Sequence, residues 1–287
     1  GADRLVGIAK PGAGQLDRRG EPVDRLVLAE DHALEVAIEM LPVSYDANQL
    51  VALTPGARPD HVWGGANFQA NSYQIDGLSA NHPGLGGSII QPSTNWIERI
   101  DVRGLGAGAE HGGFQGGQVD ITTKSGSNEF AAMLRSSLEN ELLSASNLVS
   151  TEIGSEVATR YDVEGEVQGA VVRDRLFYYL GGTLVEEDSR ALNHMGGVEG
   201  RYSPFMEERR ETRAFGKLTW RPGTGDQLEL SGAHFGTDVR NYATTGYEAE
   251  GATTSYESPT WFANLAWRRS LGEWAELEAR VNHFARD

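Results

Sequence analysis

Residues 161–171 read Tyr161-Asp-Val-Glu-Gly-Glu-Val-Gln-Gly-Ala-Val171. Every second position is apolar or glycine (Tyr161, Val163, Gly165, Val167, Gly169, Val171), and the interleaved set is Asp162, Glu164, Glu166, Gln168 and Ala170. A period of two marks a β-strand with two unlike faces, because successive side chains leave a pleated backbone on opposite sides. The alternation returns downstream. Ala214, Gly216, Leu218 and Trp220 stand against Arg213, Phe215, Lys217 and Thr219, and Leu228, Leu230 and Gly232 against Gln227, Glu229 and Ser231. Trp261, Ala263, Leu265 and Trp267 stand against Phe262, Asn264, Ala266 and Arg268, and Ala275, Leu277, Ala279 and Val281 against Glu276, Glu278, Arg280 and Asn282. With a first strand over Phe130–Asn140 the pattern predicts seven strands, each of roughly 9–11 residues or a little more.

Their connections alternate as well. Short turns fit Arg173-Asp174, Pro222 to Asp226 and Leu271-Gly272, whereas long polar loops fit about 141–158, 187–208 and 238–257. Tight turns at one end and long loops at the other characterise an outer-membrane barrel, and Trp220, Trp261 and Trp267 fall near strand ends, where aromatic girdles sit. A soluble antiparallel sandwich also alternates apolar and polar positions. The opposing face, however, carries Asp162, Glu164, Glu166, Glu229, Glu276, Glu278 and Arg280, which is more charge than one wet sheet face needs and suits a water-filled lumen. Seven strands break the even-number rule for closure, so the chain is expected to be incomplete.

Composition narrows the functional classes. The 287 residues carry 25 Lys+Arg against 41 Asp+Glu, a net charge of −16 with no clustered basic patch, which argues against nucleic acid as a partner. With no Cys, disulfides, Cys-bound zinc and thiol nucleophiles are excluded, but the redox compartment stays open. No run approaches the ~18 apolar residues of a membrane helix, and Gly1 opens the chain without an apolar signal-peptide core. Gly104-Leu-Gly-Ala-Gly-Ala109 matches a dinucleotide fingerprint, yet Glu110-His-Gly-Gly-Phe-Gln-Gly-Gly117 cannot supply the helix on which a pyrophosphate rests, each Gly costing about 1 kcal/mol there. The His residues lack helical metal-ligand spacing, and no G-x-S-x-G or H-E-x-x-H occurs. Glu186-Glu187-Asp188 and Glu207-Glu208 read as solvated loop acids rather than a Ca²⁺ cradle. Neither catalysis nor a cofactor or metal is expected.

Upstream of the alternating region, Gly and Pro punctuate an irregular lead over 1–30 with a possible strand at Arg25–Leu28. Helices fit His32–Met40, stopped by Leu41-Pro42, and Asp46–Leu53, capped by Asp46 and stopped by Pro55-Gly56. A loop-rich α+β module follows, with strand pieces at Ser72–Ile75, Ile97–Val102 and Gln118–Thr123. Asp76-Gly77 reads as a turn, Gly112 and Gly117 as close-turning backbone, and Gly126 with Asn128 as the turn into the first long strand.

The stretch from Leu41 to Phe130 resembles the plug domain of TonB-dependent outer-membrane receptors, in particular the Oar-like branch. The residues that carry this are Leu41-Pro42, Leu50-Val-Ala-Leu-Thr-Pro-Gly56, Asn71-Ser-Tyr-Gln-Ile-Asp-Gly77, Ile97-Glu-Arg-Ile-Asp-Val-Arg103, Gly112 to Gly117 and Gln118-Val-Asp-Ile-Thr-Thr-Lys-Ser-Gly-Ser-Asn128, in that order. The resemblance implies an α+β plug domain over 31–127, followed over 128–287 by antiparallel transmembrane β-barrel strands. It also implies a ligand-binding receptor in the outer membrane of a Gram-negative bacterium, with TonB and outer-membrane lipid as partners. An outer-membrane scaffold for adhesion or protein export, assembled with other chains, is the second reading. Candidate ligand contacts are Trp63, Asn67, Asn81 and His82 in the plug and Tyr202 and Tyr242 in loops, where an exposed ring offers a stacking face or serves as a packing anchor. For Asp76 a turn or wall salt bridge is the simpler role.

Overall fold

The computed structural model describes residues 51, 57–58, 61–62, 67–82, 84, 86–90, 92–103, 115–143, 155–193, 201–242, 253–272 and 274–286. The lead, the strand at Arg25–Leu28 and the helices expected over His32–Met40 and Asp46–Leu53 lie outside these residues, apart from Val51, which is helical and buried. The chain divides into two compact units, Gly1–Lys124 and Ser125–Asp287.

In the first unit β1 (Ala57–Arg58) pairs with β2 (His61–Val62). A separate four-stranded sheet holds β3 (Ser72–Ile75), β4 (Leu78–Ser79), β5 (Ile97–Arg103) and β6 (Gln118–Thr123) in the order β4-β3-β6-β5. The β3–β6 pair is parallel and the others antiparallel. Asp76 and Gly77 join β3 to β4 with φ of +49° and +76°, the two left-handed residues that a tight hairpin turn demands. Tyr73, Ile75, Trp96, Ile100, Val102, Val119 and Ile121 form the core of this sheet. Its described helical residues are Val51 and the 3-10 turns Phe68–Ala70 and Thr94–Trp96.

The second unit is one antiparallel sheet. Its strands are β7 (Ala131–Asn140), β8 (Ser155–Val172), β9 (Leu176–Asn193), β10 (Arg201–Trp220), β11 (Asp226–Tyr242), β12 (Thr254–Glu257), β13 (Thr260–Ser270) and β14 (Glu276–Arg286). The path runs β14-β13-β11-β10-β9-β8-β7, with short β12 paired to β11 beside it. That gives the seven long strands read from the sequence, and the sheet is not closed: β7 and β14 each keep one edge without a partner among the described residues. The short connections from β8 to β9, β10 to β11 and β13 to β14 gather at one end of the sheet.

The two faces are not buried as in a soluble sheet: the outward face is apolar and exposed, and the buried face is mixed, with Phe177, Tyr179, Val185 and Phe215 beside charged side chains. Leu230 is 52% exposed and Trp261 54%, whereas Glu229 is 8% and Lys217 4% exposed. Leu134, Leu180, Leu218 and Leu265 share the exposed face, while Glu164, Thr219, Ser231 and Asn264 are buried on the other. In water the hydrophobic effect drives the opposite arrangement. At the turn end, register brings Trp220, Leu228 and Trp267 onto one cross-strand row of the apolar face.

Strand length departs from expectation. β8, β9, β10 and β11 run 18, 18, 20 and 17 residues, and they absorb most of what the polar composition assigned to a loop at 187–208 and the start of the one at 238–257. On β10 the apolar face is apolar from Trp220 to Ala214 and neutral at Thr212, then carries Arg210 and Glu208; on β11 His234 and Gly236 are followed by Asp238 and Arg240. Trp220 to Thr212 is nine residues, a length that matches the ~9–11 a β-strand needs to cross a bilayer. Backbone pairing continues beyond it, with charge on both faces.

Candidate functional site

Beyond the apolar zone, one register row of the polar face crosses six strands as Glu139, Arg160, Glu187, Arg209, Val239 and Tyr256. Opposite charges facing one another across strands stabilise the pairing, and the side chains meet. Arg160 Nη1 lies 2.8 Å from Glu187 and its Nε 3.1 Å from Asp162. Arg209 reaches Glu207 at 3.0 Å and Glu211 at 3.6 Å, and Arg213 reaches Glu211 at 2.6 Å. Burial works against the Arg209 charge, but the hydrogen bond and charge of Glu207, together with the charges of Tyr256 and Glu211, hold the guanidinium pKa above its usual value. Deeper on the same face, the Tyr179 hydroxyl donates to Glu166 at 2.6 Å and Gln227 Nε2 donates to Glu229 at 2.7 Å.

The row ends in an aromatic pair. Asn241, at φ +53°, shifts the register of β11 against β12. It is held by its Nδ2 donating to the Met206 carbonyl at 2.9 Å and its Oδ1 accepting from Thr253 at 3.1 Å. Tyr242 then sits edge-on to Tyr256, ring centroids 5.3 Å apart. Tyr202 is on β10 opposite Leu192. Both tyrosines expected in loops are therefore strand residues, and Tyr256 is a neighbour the sequence reading did not name.

In the first unit the polar side chains hold backbone. Asn81 Oδ1 accepts the Tyr73 amide at 2.6 Å and its Nδ2 donates to the Asn71 carbonyl at 2.8 Å. Asn71 Oδ1 in turn accepts the Gly117 amide at 3.0 Å, so the amide of Asn81 is spent inside the fold. Asn67 Oδ1 accepts the Gln69 amide at 2.9 Å and closes the 3-10 turn, and His82 Nδ1 accepts the Gly84 amide at 3.1 Å. The Asp76 carboxylate accepts the Thr123 amide at 2.9 Å and its hydroxyl at 2.6 Å, locking the hairpin onto β6. Trp63 and Gly112 lie outside the described residues.

Gly126 is set by close approach: a Cβ there would stand 2.2 Å from the Tyr178 carbonyl oxygen. Two residues on, Asn128 clamps the β8–β9 turn, its Oδ1 accepting the Asp174 amide at 2.8 Å and its Nδ2 donating to Asp174 Oδ1 at 2.7 Å. Asp174 takes φ +62° in that turn. No group of three or more His, Asp or Glu side chains is arranged to hold a metal ion among the described residues. The strand geometry explains this for Glu186, Glu187 and Asp188, whose consecutive side chains alternate between faces.

No family model matches the chain. Over 141 residues it is 26% identical to the TonB-dependent transporter Oar of Myxococcus xanthus, covering 46% of this chain and 13% of that protein. Among solved structures, a ferric enterobactin receptor of Pseudomonas aeruginosa in complex with enterobactin superposes with a TM-score of 0.62 at 17% identity, over 88% of this chain and 40% of the receptor. The siderophore receptor PirA of Acinetobacter baumannii gives 0.59 at 18% identity, over 86% and 38%. The outer-membrane transporter YddB of Escherichia coli gives 0.59 at 16% identity, over 86% and 37%. The chain thus spans about an eighth of the curated relative and about two fifths of the solved receptors. The fold is that of the TonB-dependent receptors on which the chain superposes. The Myxococcus relative is an Oar protein, the branch that the resemblance of residues 41–130 also names.

Proposed function

We propose that the chain forms part of an outer-membrane receptor that binds a ligand at the cell surface and passes it inward on energy delivered through TonB. Residues 31–127 act as the plug, residues 128–287 supply barrel strands that further strands close, and residues 1–30 lead into the plug. The observation that carries this reading is the inverted burial of the seven-strand path. A sheet that presents Leu230, Leu265 and Trp261 outward and hides Glu229 and Lys217 is stable only where its surroundings are lipid and its interior is polar. Short turns then face the periplasm and the strand ends bearing Tyr242 and Tyr256 face outward from the cell.

Ligand contact falls to the Tyr242–Tyr256 pair and the Arg209 network beside it, with Trp63, Asn67, His82 and Tyr202 as the remaining candidates from sequence. Ferric enterobactin and other siderophores, ligands of the Pseudomonas and Acinetobacter receptors by name, are the classes to try first. Uptake of radiolabelled iron chelates by cells expressing the full-length protein, with and without TonB, tests the reading. Accumulation that disappears without TonB supports active transport, and accumulation indifferent to TonB overturns it in favour of a scaffold.

A further inference from the structure

Alternation along β11 sends its even-numbered residues outward. His234 stacks on the outward Trp261, the ring centroids 3.9 Å apart, and Asp238 and Arg240 follow on that face. By the same count Tyr242 belongs there too, while Val239 lies on the polar face with its register partner Tyr256. The Tyr242 ring nevertheless meets the Tyr256 ring edge-on, at 5.3 Å. The register explains how. Val239 pairs with Tyr256 and Tyr242 with Thr254, so Arg240 and Asn241 together stand against Ser255 alone. One extra residue on one strand is a β-bulge, and a slip of one residue carries a side chain to the opposite face.

Asn241 supplies the backbone turn that this needs. Its φ of +53° is left-handed, a conformation that β-branched side chains avoid and that Asn tolerates. Two hydrogen bonds hold it there, one to the Met206 carbonyl on β10 and one from the Thr253 hydroxyl just before β12. Both neighbours of β11 thus fix the same residue. Among the described residues, the other non-glycine residues with positive φ, Asp76 and Asp174, close hairpin turns, whereas Asn241 lies within a strand. Bulges and left-handed residues fixed in this way re-aim side chains at working surfaces.

We propose that Asn241 is a positioning residue of the ligand site: its bulge turns Tyr242 off the outward face and onto the polar face, where it completes an aromatic pair with Tyr256 at the end of the Arg209 row. The inference rests on the receptor reading above, in which that pair meets the ligand. Asn241 acts through Tyr242 and does not itself touch the ligand.

The test has two arms, both on the full-length protein. With no Cys in the sequence, the pair Y242C/Y256C reports the face that position 242 takes: a short bifunctional thiol reagent should bridge the two, and adding Asn241→Val should abolish the bridge. The second arm is uptake of ferric enterobactin by cells that lack other enterobactin receptors. Asn241→Val should raise the half-saturating concentration about tenfold, the equivalent of one lost ring contact, at an unchanged maximal rate. Tyr242→Ala should do the same, and N241V/Y242A should be no worse than either alone. Asn241→Gly, which takes the left-handed φ without a side chain, should keep most of the affinity, a rescue that no misfolded variant can show. A bridge that survives Asn241→Val, an unchanged half-saturating concentration, or additive losses in the double variant overturns the proposal while the receptor reading stands. Uptake absent from the unsubstituted protein, with the bridge contrast intact, overturns the receptor reading for this chelate and the role assigned to Asn241 with it.

Discussion

The turn-side and loop-side halves of the long strands share one backbone ladder but differ in what their outward face meets. In the turn-side half Leu218, Leu230 and Leu265 stand outward against buried Lys217, Glu229 and Asn264. In the loop-side half Arg210 and Glu208 stand outward on β10 while Arg209 and Glu207 stand on the other face. Pairing is unbroken across the change from Trp220↔Leu228 to Glu208↔Arg240. The hydrogen-bond ladder therefore does not depend on a contrast between faces. On the proposed membrane reading, the contrast records the solvent on each side, lipid against a polar interior below and polar surroundings on both sides above.

The sharpest way to break that comparison is to place a cation in the turn-side half. Leu265 lies between Trp267 and Trp261 on β13, opposite Leu230. Leu265→Arg is expected to cost about 2–4 kcal/mol, the penalty for Arg near a bilayer midplane, whereas Tyr161→Arg in the loop-side half, opposite Glu186, costs about 0–1 kcal/mol. Denaturant unfolding of the full-length protein in lipid vesicles measures both, and equal losses would erase the boundary drawn here. A second, smaller effect belongs to the turn end alone. Gly126→Ala puts a methyl group 2.2 Å from the Tyr178 carbonyl oxygen, a backbone atom that cannot rotate away, and overpacking of this kind costs about 1–3 kcal/mol. A thermal midpoint unchanged by the substitution would show that this approach is not close in solution.

These halves were also unequally legible in sequence. Seven strands, the short turns and the turn at Asp76-Gly77 could be read because Gly165 or Leu230 contrasts with Glu164 or Glu229, and because few residues besides Gly and Asp take positive φ. The loop-side extensions could not be read by the same rule, since polarity on both faces resembles a loop. A second signal was present and unused: Glu207, Arg209, Glu211 and Arg213 alternate in sign at every second position, a one-face charge ladder that loops have no reason to keep. Tyr256 escaped because β12 is four residues long, too short for any period. Asn81 reaches Asn71 and Tyr73 locally across the β3–β4 hairpin, but the bond of Asn71 to Gly117 depends on β3 meeting β6, which no local pattern encodes.

The smallest effects test whether the charges of the loop-side half are alike on its two faces. Arg160 is half-buried and holds two carboxylates, Asp162 and Glu187. Arg160→Ala leaves both without their cation, Asp162 keeping only the Ser137 hydroxyl among the described residues, and under-satisfied carboxylates at such a site cost about 1–3 kcal/mol. Arg240, outward and mostly exposed, meets Glu208 at 3.8 Å. Its replacement by Ala should cost under about 1 kcal/mol, as exposed pairs do. Salt separates the two cases further. Raising ionic strength toward 1 M shortens the screening length to about 3 Å, so the Arg240→Ala loss should vanish while most of the Arg160→Ala loss persists. Parallel unfolding series at low and high salt provide the measurement. Losses that fall together with salt would place both arginines in the same solvent and remove the distinction between an interior and an exterior face at this level of the sheet.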